Sequence, residues 1–472
     1  MGGTSIGDLS EETRKRLTLV ACILGSTIVF VDSTVVTVAL PAIQRGLGGG
    51  LALQQWVADA YLLTLGSLIL VGGSLGDLYG EKRVFVVGVV SFAVTSMLCA
   101  LAWNGTSLIV ARGAQGIAGA LLTPAALATI TVTFSGEDRG AAIGTWTAWT
   151  GIAFLIGPLV GGWLISAASW RAIFLVNPPI ALVTVGLIAF AVPGAGDRGR
   201  RQPVDVVGAV LCVLGLGSAV FALIEAPQRG FSDPLILTTL FAGIVLFGAF
   251  LAWERRTATP MLPLRLFHRR NFAFANLETF AVYAALATQS FFVTLFTQQL
   301  GGFSPLKSGL ATLPVTIVMF FASSRVGRLS MRLGPRLFMG SGPFVCAAAM
   351  LWLRELSPGF DYWTEMLPPL LLFAAGLSLI VAPLTATVLA DAGPGDAGIA
   401  SGVNNAVART ASLLGIAIVG AAIAGAGNQL DLHGYRTSMT ITAALFLAGG
   451  VIGTAGIRKV ALRAPAVAEV AR

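Results

Sequence analysis

Apolar runs long enough to cross a bilayer follow one another along almost the whole 472-residue chain. A membrane helix needs about 20 such residues. Runs of that kind fall at about 17–40, 55–75, 83–102, 107–131, 139–166, 172–192, 204–225, 233–253, 272–299, 308–329, 336–353, 368–390, 398–423 and 436–457. In lipid the backbone must satisfy its own hydrogen bonds, so such runs become helices. Charged residues make up 11% of the chain against about 25% in a soluble domain. The sequence therefore predicts an all-α polytopic membrane protein with 14 transmembrane helices.

Charge sets the expected orientation. With the N-terminus inside, 22 of the 30 Lys and Arg fall in inside segments, 6 in outside loops, and Arg112 and Arg409 within spans. Basic residues favour the cytoplasmic side, so both termini are expected there, in a multi-pass protein of the cell membrane. The excess of basic over acidic residues sits in short loops rather than a basic arm, which argues against nucleic acid as a partner. Cys22, Cys99, Cys212 and Cys346 stand singly in apolar runs, without metal-ligand spacing. No phosphate-binding loop, dinucleotide fingerprint, nucleophile constellation or metal set emerges, so neither an enzyme nor a cofactor is expected.

The runs group as six, two and six. The chain reads as a cytoplasmic segment 1–16, a six-helix bundle 17–192, a pair of extra helices with basic linkers 193–271, a second six-helix bundle 272–457 and a tail 458–472. A glycine-rich charged joint links spans 2 and 3: Gly72-Gly73-Ser74-Leu75-Gly76-Asp77-Leu78-Tyr79-Gly80-Glu81-Lys82-Arg83. Gly327 to Arg336 repeats it between spans 10 and 11, aligning Gly80 with Gly334 and Lys82 with Arg336. Two copies of one joint imply two related halves, a plan common to secondary transporters.

An ionisable residue inside a span costs about 2.5–3.5 kcal/mol on insertion scales and is a functional candidate by default. Asp32 lies mid-span 1, Asp59 in span 2, Arg112 in span 4, Glu278 in span 9 and Arg409 in span 13. Asp32 is the first candidate for a proton carrier, because burial and a nearby guanidinium push a carboxylate in opposite directions. Arg112 suits the partner role, being always charged. A static pair that only fixes helix packing is the alternative. Asp59 is either a second titrating group or a solvated residue near its span's outer end; Glu278 is a second proton site or a contact for a cationic cargo. The run Gly151 to Gly162, with Gly157, Pro158, Gly161 and Gly162, fits a bending or sliding helix, or simply tight packing. Trp56, Tyr61, Trp149, Phe154, Tyr283, Gln289, Phe292 and Asn404 are candidates for lining a substrate cavity.

Several of these stretches resemble one family. Gly73 to Arg83 looks like the cytoplasmic loop motif of the major facilitator superfamily. Asp32 to Pro41, Arg112 to Ala120, Gly151 to Gly162, Ser169 to Pro179, and Gly398 to Asn405 with Arg409 are similar to motifs of its fourteen-span drug:proton antiporters. The resemblance implies a major facilitator fold and a proton-driven multidrug exporter taking amphipathic or cationic substrates; a monomer is expected because each half buries its own interface. It assigns coupling to Asp32 and Arg112, the conformational switch to Gly73, Asp77, Gly80, Lys82 and Arg83, and the export-type bend to Gly157-Pro158. Leu78 and Glu81 depart from the basic residues usual in the loop motif, and Met331 replaces the Asp of the second copy. A dedicated exporter of one endogenous metabolite, antibiotic or lipid is the nearest alternative, and a non-transporting membrane sensor a more distant one.

Overall fold

The structure, a computed structural model, describes residues 10–191, 204–392, 397–423 and 430–458, without the side chains of 136, 137, 151, 154, 155, 331 and 397. The linker arginines Arg198, Arg200 and Arg201, the tail beyond Arg458, and the side chains of Phe154 and Met331 lie outside that description.

Helices α1 (Glu11–Leu47), α2 (Gly50–Tyr79), α3 (Glu81–Ala100), α4 (Gly105–Thr133), α5 (Gly136–Ala167), and a broken pair α6 (Ala172–Leu175) and α7 (Asn177–Ala191) form the first bundle. Helices α8 (Val206–Arg229) and α9 (Pro234–Glu254) are the extra pair. Helices α10 (Arg270–Leu295, continued by a π-helical turn Phe296–Leu300), α11 (Pro305–Leu333), α12 (Pro335–Leu353), α13 (Leu367–Ala392), α14 (Ala397–Ile423) and α15 (Leu432–Gly456) form the second. Among the described residues, 13 helices are long and apolar enough to cross a membrane, α6 and α7 counting as one. Helix α5 is the fourteenth long helix, and its described stretch Ile156–Ala167 is apolar.

The packing repeats between the bundles. In the first, α2 and α3 pack on α4, and α1 packs on α5 and α7; in the second, α11 and α12 pack on α13, and α10 packs on α14 and α15. The α3–α7 contact returns as α12–α15. The two joints also match: Gly80 and Gly334 each turn the chain at φ 90, a conformation open to glycine. Each turn is so tight that the joint is a single residue between two helices rather than a loop.

The halves meet along two seams, α2 on α14 and α5 on α11. Helix α8 lies against both α2 and α14. The α5–α11 seam is tight at the end that carries the α1–α2 turn. There a Cβ on Gly162 would stand 2.6 Å from Leu306 Cα, and one on Gly309 would stand 2.5 Å from the Pro158 carbonyl oxygen. Amides reinforce that end: Gln298 donates to the Val38 carbonyl (2.9 Å), Gln55 to the Ile416 carbonyl (3.1 Å), and Gln54 and Gln299 both donate to Gln44. At the Gly80 end α5 and α11 part. Gly140 and Gly144 face open space, and Trp149, Phe320 and Phe321 are exposed.

Candidate functional site

Close approach of α2 and α4 builds the site. A Cβ on Gly116 would meet Thr64 Oγ1 at 2.1 Å and the Tyr61 carbonyl oxygen at 2.4 Å, so only glycine fits. Thr64 Oγ1 donates to the Gly113 carbonyl at 2.7 Å. This contact lets Arg112 Nε reach across to the Val57 carbonyl at 3.1 Å. Gln115, one turn along α4, falls on the same face.

Arg112 Nη1 donates to Asp32 Oδ2 at 2.6 Å and to Gln115 Oε1 at 2.7 Å. Gln115 Nε2 donates to Asp32 Oδ1 at 2.9 Å. Asn177 Nδ2, at the α6–α7 break, donates to Asp32 Oδ1 at 3.2 Å and to Ser96 Oγ at 2.9 Å. Arg112 lies over the Tyr61 ring, 4.2 Å from its centroid. Asp32, Arg112, Gln115, Asn177 and Tyr61 are all at most 3% exposed. Removing one partner of a buried ion pair leaves an uncompensated charge.

Gln115 and Asn177 carried no expected role, although an amide inside an apolar run is itself a signal. The other candidates scatter. Asp59 is wholly buried, not near water, and neither carboxylate oxygen has a hydrogen-bond partner among the described residues. Its helix begins at Gly50, which sets Asp59 two to three turns in. Glu278 is also wholly buried without a partner, and lies against Gly453 of α15, inside the second bundle. Asp77 is exposed on the last turn of α2, with Gly73 on the same helix; Lys82 and Arg83 stand on the first turn of α3, beyond Gly80.

The glycines of α5 serve two faces. Cβ atoms on Gly157 and Gly161 would collide with Thr34 and Val35 of α1, whereas Pro158 and Gly162 face α11. Trp56 donates to Glu225 Oε1 at 3.0 Å and packs on Phe221, which places it between α2 and α8. Phe292 is buried in the core of the second bundle against Phe291. Asn404 donates to Asn276 Oδ1 at 3.2 Å and Thr279 Oγ1 at 2.8 Å, joining α14 to α10. Gln289 is buried, Trp149 is 51% exposed, and Tyr283 is partly buried beside α14. The four cysteines are buried and free. No cluster of three or more metal-ligating side chains occurs among the described residues.

A repeated bundle of membrane-spanning helices around a buried ion pair defines the class, a two-half membrane transporter. The Major Facilitator Superfamily model matches residues 22–416, and the chain belongs to that family. It is 32% identical to the methylenomycin A resistance protein of Bacillus subtilis, over 96% of this chain and 99% of that one. It is 34% identical to the multidrug resistance protein Stp of Mycobacterium tuberculosis, over 86% and 76%. Among solved structures, an inward-facing, unoccupied bacterial homologue of the human lysosomal transporter Spinster shares the fold. The TM-score is 0.68 and the identity 17%, over 94% of this chain and 97% of that one.

Proposed function

We propose that this chain exports amphipathic organic molecules, antibiotics among them, across the cell membrane in exchange for protons. The observation that carries this reading is the Asp32–Arg112 pair, held at 2.6 Å in a chain whose relatives include antibiotic resistance proteins matched over nearly their full length. Asp32 takes the proton and Arg112 is its electrostatic partner; Asp59 and Glu278 are further candidate proton sites. The charge bias supports both termini and the Gly80 end lying in the cytoplasm. The parted α5–α11 seam then opens inward, and the Gln44 and Gly162 contacts close the outer side. Gly73, Asp77, Gly80, Lys82 and Arg83 switch between the two arrangements, while Gly157, Pro158, Gly161 and Gly162 let α5 slide on α1 and α11. The transporter works as a monomer on a small-molecule cargo, driven by the proton gradient with no bound cofactor.

A dedicated exporter of one metabolite is the second reading. It is favoured by relatives such as the cephamycin export protein of Amycolatopsis lactamdurans, 33% identical over 92% of this chain and 90% of that one. Proteoliposomes with a pH-sensitive dye inside test both. A panel of amphipathic compounds is added under an imposed proton gradient, to wild type and to Asp32→Asn. Proton flux that depends on a compound and vanishes in the variant supports export coupled through Asp32. Responses to many compounds favour a multidrug pump, and a response to one favours the dedicated exporter. Flux that persists in the variant removes Asp32 from the proton route.

A further inference from the structure

Two arginines lie within spans, and the structure gives them opposite circumstances. Arg112 is neutralised by Asp32 at 2.6 Å. Arg409, midway along α14, makes no hydrogen bond or ion pair among the described residues. It stands where four helices from both halves converge. Its Cβ would lie 3.0 Å from a Cβ on Gly66 of α2, so the α2–α14 seam is close there. Its guanidinium carbon is 5.9 Å from the Phe30 ring centroid on α1. Ser412, one turn further along α14, donates to the Tyr283 carbonyl of α10 at 3.5 Å.

Arg409 nevertheless keeps part of its surface accessible. Helices α1, α2 and α10 surround it, so that surface belongs to the space between the halves. The acids of the spans do not answer its charge. Asp32 is committed to Arg112, Gln115 and Asn177. Asp59 and Glu278 are fully buried, and Glu225 is taken by Trp56 and Arg229. An uncompensated guanidinium in a low-dielectric site is costly, and a bidentate anion is its best partner.

We propose that Arg409, beside Phe30 and Gly66, receives an acidic group of the cargo, so that the preferred substrates are amphipathic carboxylates rather than cations. The Phe30 ring takes the apolar part. This rests on the export reading above and narrows its substrate class.

The test uses three dansyl-labelled amphipaths that differ only in the head group: carboxylate, primary amide and amine. Binding is read by fluorescence on the full-length protein in nanodiscs, and export in liposomes. Wild type should bind the carboxylate about ten- to a hundred-fold more tightly than the amide, the range for one charge-assisted hydrogen bond. Arg409→Gln should lose that preference, and Arg409→Lys should keep most of it. Equal or tighter binding of the amide or amine by wild type overturns the inference without recourse to any variant. So does a folded Arg409→Gln protein that still prefers the carboxylate. Export of all three compounds alike would leave the transporter reading standing and remove the anion site. Preferential binding of the carboxylate without export of any compound would do the reverse.

Discussion

Removing the charge at Asp32 and then at Arg112 separates packing from proton transfer. Asp32 accepts three hydrogen bonds, from Arg112, Gln115 and Asn177, and is 3% exposed. Asp32→Asn leaves the Arg112 charge with neutral oxygens alone, those of the new amide, Gln115 and Val57. Breaking a buried pair from one side costs about 3–5 kcal/mol, because the remaining charge is uncompensated. Arg112→Gln strands the carboxylate instead, although two amide donors still serve it, so its cost lies at the lower end, about 3 kcal/mol. The double variant removes both charges and restores a neutral amide network. Its destabilisation should fall short of the sum of the single costs by about 2–3 kcal/mol. Unfolding of the purified proteins in detergent, compared across the four sequences, gives the coupling. The same four proteins in liposomes give substrate-driven proton flux. The expected outcome is that stability returns in the double variant and flux does not. Single costs that add within about 0.5 kcal/mol would refute the coupled pair. A double variant with restored flux would refute Asp32 as the carrier and leave the pair as packing.

Gly162→Val places backbone atoms of Leu306 and Pro305 within 2.8 Å of the new Cβ, so the end of the α5–α11 seam that carries the α1–α2 turn should be forced open. Spin labels at the exposed Arg45 and Lys307 should then move apart, and an unchanged distance distribution would overturn this account of the seam. Gln44→Leu removes acceptors for Gln54 and Gln299; at about 1 kcal/mol per neutral hydrogen bond, it should shift the same distribution partially. Glu278→Gln should leave thermal stability unchanged or raised, since neither carboxylate oxygen has a partner and an unpaired buried acid is a cost. A loss of more than about 1 kcal/mol in that variant would reveal a partner for the carboxylate.

Much of this architecture is legible in the sequence because the bilayer simplifies the problem. Run lengths place the helices, and the Gly80 and Gly334 joints expose the repeat before any contact is known. Facing is harder to read. Lipid and protein core are both apolar, so a run such as that of α10 does not say that Phe292 points into the bundle. Small residues announce close packing but not its partner. Only the fold divides the α5 glycines between α1 and α11, or gives Trp56 to α8. Gln115 and Asn177 were visible as amides in apolar runs, yet their joint claim on Asp32 depends on the α6–α7 break and the α2–α4 approach. Pro178-Pro179 signal the one and Gly116 the other, but neither signal names a partner.

The span arginines show where sequence reading stops. Arg112 and Arg409 each sit among small and apolar neighbours, and each reads as a buried cation of equal cost. What separates them is long-range. Asp32, 80 residues from Arg112, cancels one charge. The facing residue of α2 at the other is Gly66, which brings the helices together and supplies no counter-charge. A membrane protein can carry a neutralised pair as structure and as a proton switch. It keeps an unneutralised guanidinium at the junction of its two halves at a cost that a bound anion would offset. On the anion-site proposal, the charge of the cargo follows from which of the two arginines is left without a carboxylate.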